Sequence, residues 1–224
     1  MHVLRTVAFD ATPYVTGSPW WYRHRAFVFA LLYAGGFFFG ALLSEVFDLD
    51  ASPVAVQLGR AVGEDGYRWF LAAACALTIG CWALRVWGSA YLRPAVVWNP
   101  DALDDRLIVA GPFRYVRNPL YLGNVLLALA MALFATPIGA ALVLIGNVVL
   151  LAGLIRVEQR LLRARYGAAF DDYARAVPAL LPRITPYEAQ RSAGLEPSYR
   201  LGLRSEIFSA GFVIGTAAFA AYYW

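Results

Sequence analysis

The stretch GPFRYVRNPLYLG, residues 111–123, decides how the chain is organised. It sets arginines and prolines directly before a long apolar run that begins at Leu120. Proline is well tolerated in the first turn of a helix, where its missing N–H costs nothing, so Pro119 predicts a helix start. Asn118, just before it, is a suitable N-cap residue. The pattern predicts an apolar helix whose first turn lies beside a cluster of positive charge.

The composition is that of a membrane protein. Of the 224 residues, 60% are hydrophobic and 15% are charged, which is far from the usage of soluble globular domains. The length suits one integral membrane domain, residues 1–224. The net charge of +4 implies no nucleic-acid partner, because the arginines cluster beside apolar segments. The isolated histidines and the cysteines Cys75 and Cys81 predict neither a metal site nor a disulfide framework.

Five apolar segments approach the length of about 20 residues that a transmembrane helix needs. They cover residues 26–43, 69–92, 120–135, 138–155 and 207–224. Only Thr136 and Pro137 separate the third from the fourth, which predicts a tight helical hairpin. The first and fifth carry Gly-x-x-x-Gly patterns, at 36–40 and 211–215, a spacing that lets membrane helices approach closely. The predicted fold class is all-α: a polytopic membrane protein with about five transmembrane helices.

The charges in the connections predict the orientation. Arginines concentrate in the N-terminal stretch and in the connections 93–119 and 158–206, whereas the connection between the first two helices is mainly acidic. Because positively charged loops stay in the cytoplasm, we expect a cytoplasmic N-terminus and an external C-terminus, in a bacterial inner membrane. The hairpin then brings the motif at 111–123 and Glu158 together at the cytoplasmic face.

A second polar element follows the hairpin. Glu158 lies at the end of an apolar helix, where an ionisable side chain is costly and usually has a partner. The residues after it, with Leu162 and Tyr166 among arginines, have the pattern of a cytoplasmic amphipathic helix lying on the bilayer. Arg85, inside the second span, either snorkels to the interface or faces a cavity, and the sequence leaves both readings open.

The motif at 111–123 and the element after the hairpin resemble the isoprenylcysteine carboxyl methyltransferases and the related phospholipid methyltransferases, which are integral membrane enzymes. Their motif reads Gly-Pro-(Tyr/Phe)-Arg-Tyr-x-Arg-His-Pro-x-Tyr-x-Gly, followed by a hydrophobic hairpin and a Glu-Glu pair. In this chain Glu158 matches the first acid of that pair. The chain departs from the pattern at Asn118, where the family has histidine, and at Gln159, where it has the second glutamate.

The resemblance covers residues 77–183, the predicted methyltransferase core. Beyond Glu158 the matching residues are Tyr166, Gly167, Phe170, Tyr173, Val177 and Pro178. The first helix lies outside the resemblance, and so do residues 184–224, a polar connection and an extra C-terminal transmembrane helix.

The resemblance implies S-adenosylmethionine as the cofactor, bound between the hairpin and the cytoplasmic segments. The cofactor-binding residues that it implies are Arg106, Leu107, Ile108, Phe113, Asn118, Pro119, Leu120, Tyr121, Glu158 and Gln159. The catalytic residues that it implies are Arg117, Tyr121 and Glu158. The chemistry agrees, because an arginine suits the cofactor's carboxylate, a glutamate suits its ammonium or ribose diol, and tyrosine faces suit its sulfonium methyl.

The methyl acceptor is expected to be a lipid or another lipophilic small molecule. A prenylcysteine-like carboxylate, a lipid amine and a thiol all stay open. The departures at Asn118 and Gln159 also leave open a degenerate cofactor-binding membrane protein without turnover. A further alternative is an NADPH-dependent membrane reductase of the steroid-reductase kind, which resembles the family distantly in hydropathy.

Overall fold

The computed structural model describes residues 19–63, 65–92, 107–188 and 196–223. Within these ranges the chain is helical and has no strand, which confirms the all-α prediction. The helices are α1 Trp20–Arg23, α2 Arg25–Val46, α3 Val54–Val62, α4 Gly66–Ser89, α5 Pro119–Phe134, α6 Pro137–Tyr166, α7 Ala168–Ala176, α8 Tyr199–Ser205 and α9 Ile207–Tyr223, with a short 3₁₀ helix at Gly111–Arg114.

Three of the described helices, α2, α4 and α6, are long and apolar enough to cross a membrane. Helices α8 and α9 add a fourth span if they count as one helix bent by 66°. Helix α5 is apolar but has only 16 residues, fewer than the roughly 20 of a full crossing. A polytopic helical membrane protein is confirmed, whereas the predicted count of about five spans is not.

The predicted hairpin is present, formed by α5 and α6. Two residues link the helices, which pack against each other. The Thr136 hydroxyl accepts a hydrogen bond of 3.2 Å from the Gly139 N–H and caps α6, and Pro137 occupies the first helical position. Helix α6 runs unbroken for 30 residues, through Glu158 to Tyr166. The amphipathic segment expected after the fourth span is therefore the last part of α6, and α7 is the separate short helix.

Helices α2 and α6 pack almost backbone to backbone. A Cβ added at Gly40 would lie 2.4 Å from Gly139 Cα, and one added at Gly36 would lie 2.5 Å from Val143 Cγ2. Only glycine permits that approach, as the pattern in the first span predicted. Helix α4 lies centrally, in contact with α3, α5, α8 and α9. The largest buried cluster lies among α2, α4, α5 and α6, with Tyr33 and Leu127 in it.

The outer faces of the bundle are apolar. Phe38 on α2 and Ile145, Val148 and Val149 on α6 are exposed. Large contiguous apolar surfaces are rare on soluble monomers, and hydrocarbon is the solvent that they suit. The bundle thus has lipid-facing walls, and its polar side chains concentrate inside and at the ends of the helices.

Candidate functional site

A cavity of about 730 Å³ lies between α2, α5, the second half of α6, α7 and the start of α9. Its volume falls within the range of small-molecule sites, about 300–1,000 Å³. The sequence-predicted site residues that line it are Leu107, Ile108, Phe113, Arg117, Asn118, Pro119, Leu120, Tyr121 and Glu158. The hairpin therefore brings the motif and Glu158 into one wall, although they are far apart in the chain.

Two predicted site residues stand apart from this cavity wall. Gln159 follows Glu158 on α6 but does not line the cavity. Arg106 lies outside the described residues, so its role stays a prediction.

The motif begins with a tight turn that requires glycine. Gly111 has a φ of +54°, and a Cβ there would lie 2.2 Å from a ring carbon of Tyr91. The turn leads into the 3₁₀ helix, which ends at Arg114 and places the Phe113 ring in the cavity wall. The Tyr173 hydroxyl on α7 donates a 2.7 Å hydrogen bond to the Phe113 carbonyl. Helix α7 thus holds the motif from below, and burial raises the pKa of Tyr173 above its usual range.

The segment after α7 runs beside the motif and is hydrogen-bonded to it. The Arg117 N–H donates to the Pro178 carbonyl at 2.9 Å, and the Arg183 N–H donates to the Tyr115 carbonyl at 3.0 Å. The Asn118 side-chain amide donates to the Ala179 carbonyl at 2.9 Å. These bonds fix the backbone at the start of α5, where the cavity wall turns from loop to helix.

Asn118 stands at the N-cap position of α5, but its side chain makes no cap hydrogen bond. The predicted capping role of this side chain is therefore wrong. The physical reason is that the amide is engaged by Ala179, and a family histidine would offer an N–H of similar reach for the same bond. Asn118 is 8% exposed and still lines the cavity.

Arg117 is the cation of this wall with the least compensation. Its Nε is buried and has no hydrogen-bond partner among the described residues. The guanidinium carbon lies 6.0 Å from the Phe170 ring centroid, a weak cation–π distance. Burial and the nearby charge of Arg163 lower the pKa of Arg117. A buried donor without a partner costs about 1–3 kcal/mol, so this side chain is suited to an anionic ligand.

Glu158 has the partner that its position at the end of an apolar helix required. It shares a side-chain hydrogen bond with Tyr121 of α5 and feels the positive charge of Arg25 on α2. Tyr121 is 8% exposed and packs in the cluster beneath the cavity. The hairpin pairing of α5 and α6 therefore positions a carboxylate and a phenol together in the cavity wall.

The sequence analysis missed the contribution of α1 and α2. Arg23, His24, Arg25, Phe29 and Tyr33 all line the cavity. The available signal was the dense run of aromatic and basic residues before the first span, but it is also typical of a membrane interface. Such a run does not say which ring or charge turns inward.

A second set of polar side chains, here called the Arg85 cluster, comprises Arg85, Ser89, Asn124, Glu206 and Ser209. Arg85 donates through Nε to Glu206 Oε2 at 2.6 Å and through Nη2 to Oε1 at 3.2 Å. Its Nη1 donates to Asn124 Oδ1 at 2.8 Å. The Ser89 and Ser209 hydroxyls bond the same carboxylate at 2.8 and 2.9 Å. Both carboxylate oxygens thus have two donors each.

Of the two readings of Arg85, the cavity-facing one agrees with the structure. Its side chain is 18% exposed and lines the cavity, and Glu206 is 1% exposed. A Cβ on Gly123 would lie 2.6 Å from Arg85 Cγ, so the last glycine of the motif makes room for the arginine stem. The cluster ties α4 and α5 to the bend between α8 and α9. A fully satisfied ion pair of this kind serves position more than proton transfer.

Comparison with known proteins agrees with the resemblance found in the motif. Residues 69–169 match the sequence model of the phospholipid methyltransferase family. The match runs from α4 through the motif and the α5–α6 hairpin to the start of α7. The resemblance to this family of membrane methyltransferases is therefore confirmed for the segment that builds the motif side of the cavity.

Several curated proteins are similar to the chain. The nickel-cobalt-cadmium resistance protein NccN of Alcaligenes xylosoxydans xylosoxydans is 25% identical over 169 residues, 72% of this chain and 74% of that protein. The cobalt-zinc-cadmium resistance protein CzcN of Cupriavidus metallidurans is 27% identical over 107 residues, 47% of this chain and 46% of that protein. Methanethiol S-methyltransferase 2 of Bradyrhizobium diazoefficiens is 37% identical over 75 residues, 32% of this chain and 27% of that protein.

The matches differ in what they say about chemistry. The chain spans about half the length of the second relative and about a quarter of the third. The resistance proteins are named for a phenotype, and that name states no reaction. The family match and the methyltransferase relative support a membrane methyltransferase. No solved structure matches the chain.

Proposed function

We propose that the protein transfers a methyl group from S-adenosylmethionine to a lipophilic acceptor at the cytoplasmic face of the membrane. The observation that carries the proposal is the cavity in which the hairpin gathers Arg117, Tyr121 and Glu158. This wall is built by the segment that matches the phospholipid methyltransferases.

The residues of the cavity wall fit the cofactor. The unpartnered buried Nε of Arg117 suits the carboxylate of the methionine part, because arginine–carboxylate hydrogen bonds are charge-assisted. Glu158 suits the ammonium or the ribose diol, since an ionised carboxylate accepts several hydrogen bonds. When bound, S-adenosylmethionine supplies a methyl group on a sulfonium, and the acceptor's lone pair takes it as the carbon–sulfur bond breaks and its electron pair stays on sulfur.

The protein's own contribution is mainly positioning. Holding two reactants in line is able to supply most of the acceleration of such a displacement. Tyr121 and Tyr166 place aromatic rings in the wall, which suit a cationic sulfur. Glu206 accepts two hydrogen bonds at each carboxylate oxygen, so we assign it no role as a base. A carboxylate acceptor needs none, whereas a thiol or amine must lose a proton to reach the reactive form.

The two departures from the family motif leave the cavity groups in place. Gln159 does not line the cavity, and the Asn118 amide is occupied by the Ala179 carbonyl. Neither substitution removes a charged group from the wall, which favours an active enzyme over a degenerate binding protein. The methanethiol relative makes a thiol the first acceptor head group to assay, beside amines and carboxylates.

The test is methyl transfer by the purified, detergent-solubilised protein. S-adenosylmethionine with a tritiated methyl group is incubated with alkanethiols, alkylamines, alkanoates and an extract of bacterial lipids. We expect label in the organic phase with wild type and with Gln159→Glu, and a loss of at least about tenfold with Glu158→Gln, the size of about 1.4 kcal/mol. Wild-type protein that stays folded but labels none of these acceptors, and binds NADPH in place of S-adenosylhomocysteine, would sink the proposal in favour of the reductase.

A further inference from the structure

A second, apolar groove of about 760 Å³ runs along α9. We call it the α9 groove. From α9 it is lined by Phe208, Gly211, Phe212, Gly215, Thr216 and Phe219, and from the facing elements by Phe37, Pro53, Met131 and Phe134. Aromatic rings and aliphatic carbons thus make up nearly all of its surface.

The α9 groove offers no hydrogen bond to an occupant. Thr216 is the polar side chain in its wall, and its hydroxyl bonds the Phe212 carbonyl at 2.8 Å and the Thr78 hydroxyl at 2.9 Å. Both bonds are internal to the protein. A polar or peptide ligand would leave its own groups unsatisfied there, so the chemistry of the groove selects hydrocarbon.

The α9 groove is continuous with the candidate cofactor cavity. Phe208 and Phe212 line both spaces. The Phe212 ring also lies 6.3 Å from the ring of Tyr33, another residue of the cavity wall. Beyond these rings the groove leads away from the cavity towards Phe219. A molecule whose head lies in the cavity has an apolar path for its tail.

Two glycines keep this path open. A Cβ added at Gly211 or Gly215 would meet no atom within 4 Å. The same Gly-x-x-x-Gly spacing at Gly36 and Gly40 is filled by α6. In α9 the glycines therefore leave free volume and do not serve helix packing among the described residues.

The length of the α9 groove matches one leaflet of a bilayer. Phe208 and Phe219 are eleven residues apart on a helix, which corresponds to about 16 Å along the axis. The hydrocarbon core of a bilayer is about 30 Å thick. The groove thus accommodates a tail of about the length of one leaflet when the head group stays near the membrane face.

We propose that the α9 groove binds a single hydrocarbon chain of the methyl acceptor, and that Gly211 and Gly215 set the chain length it accepts. The inference rests on the proposed methyl transfer and adds the acceptor class: a molecule with one long apolar tail. Helix α9 lies outside the segment that matches the family, residues 69–169. The tail is therefore recognised by an element that is this chain's own.

The test uses leucine to block the groove at two depths. Gly211→Leu fills it near the cavity, and Gly215→Leu fills it about 6 Å further along the helix. Ala217→Leu is the matched control, because Ala217 lies on α9, is exposed and lines neither space. Full-length variants are assayed for transfer to butyl, decyl and hexadecyl compounds of the thiol, amine and carboxylate series.

The proposal predicts a ruler. Gly215→Leu lowers kcat/KM for the hexadecyl compound relative to the butyl compound by about tenfold or more, the size expected when a side chain overpacks a filled site. Gly211→Leu lowers the ratio for the decyl compound as well, and Ala217→Leu leaves both ratios unchanged. The ratio cancels any loss of folded protein, since both substrates meet the same sample.

The outcomes separate the two claims. Transfer by wild type with ratios that neither glycine variant changes overturns the groove assignment and leaves the proposed function standing. A readout without turnover is labelling by hexadecanol with a terminal diazirine, mapped by mass spectrometry. We expect label on α9 in wild type and in Ala217→Leu, and its loss in Gly211→Leu. Equal labelling of all three proteins, or a change of oligomeric mass in Gly211→Leu by light scattering, contradicts the assignment even if no compound is methylated.

Discussion

Two arginines line the same cavity and differ in what surrounds them. Arg85 donates to Glu206, to Asn124 and to the Leu120 carbonyl. Arg117 keeps a buried Nε without a partner among the described residues. A charge inside a membrane protein is retained where it is compensated or used. The difference indicates that Arg85 is compensated by the fold, whereas Arg117 is available to a ligand.

The largest effect is expected from breaking the Arg85 cluster. Arg85→Met leaves the carboxylate of Glu206, 1% exposed, without its cation. Breaking a buried ion pair by removing one partner typically costs about 3–5 kcal/mol. We expect a loss of that size in the free energy of unfolding, measured by denaturant titration in detergent micelles.

The double variant Arg85→Met with Glu206→Gln is the control for this prediction. It removes both charges, so most of the lost stability should return. A single variant as stable as wild type would show that the cluster does not hold α9, and the comparison between the arginines would fail.

The next effect concerns ligand affinity. Arg117→Gln removes the cation that we assign to the cofactor carboxylate and should weaken S-adenosylhomocysteine binding about 10- to 100-fold, the size of a hydrogen bond to a charged group. The free energy of unfolding should stay within about 1 kcal/mol of wild type, because no described partner is lost. Calorimetric titration and denaturant unfolding measure the two quantities on one preparation.

Arg114→Gln is the matched control for Arg117→Gln. Arg114 lies three positions earlier in the motif and donates from Nε to the Tyr187 carbonyl at 3.0 Å, and it does not line the cavity. We expect its affinity to stay within a factor of about three of wild type. Equal losses in both variants would mean that general positive charge, and not Arg117 itself, binds the ligand.

A smaller effect is expected where the chain departs from the family. Asn118→Ala loses the hydrogen bond to the Ala179 carbonyl and should cost about 1 kcal/mol of stability. Asn118→His, which restores the family residue, should keep most of that stability because an imidazole N–H donates in a similar place. Thermal unfolding of both variants checks this, and a much tighter cofactor complex in Asn118→His would assign residue 118 a direct binding role.

The site was predictable from sequence where its residues lie in a short motif joined to a hairpin. Pro119 marks the start of α5, and Thr136-Pro137 forces α6 to return, so the approach of Tyr121 and Glu158 follows from local signals. The continuity of α6 was missed because the change from apolar to arginine-rich sequence suggested a boundary, although nothing breaks the helix before Gly167.

The parts that were not predicted depend on contacts between distant segments. The ion pair of Arg85 and Glu206 joins residues 121 positions apart, and neither sequence environment names the partner. Arg25 enters the cavity wall only because the glycines of α2 bring that helix against α6. The span count also depends on three-dimensional detail, since α5 is short and α8–α9 bend at Glu206.

The measurement that tests the central claim most directly is calorimetric titration of S-adenosylhomocysteine into the purified protein and its Glu158→Gln and Gln159→Glu variants. Residues 158 and 159 are neighbours on α6, but only Glu158 lines the cavity. The account predicts binding near micromolar, about −8 kcal/mol, by wild type and Gln159→Glu, and a loss of at least about tenfold in Glu158→Gln. Well-folded wild-type protein that does not bind, or a Glu158→Gln variant that binds as tightly as wild type, would contradict it.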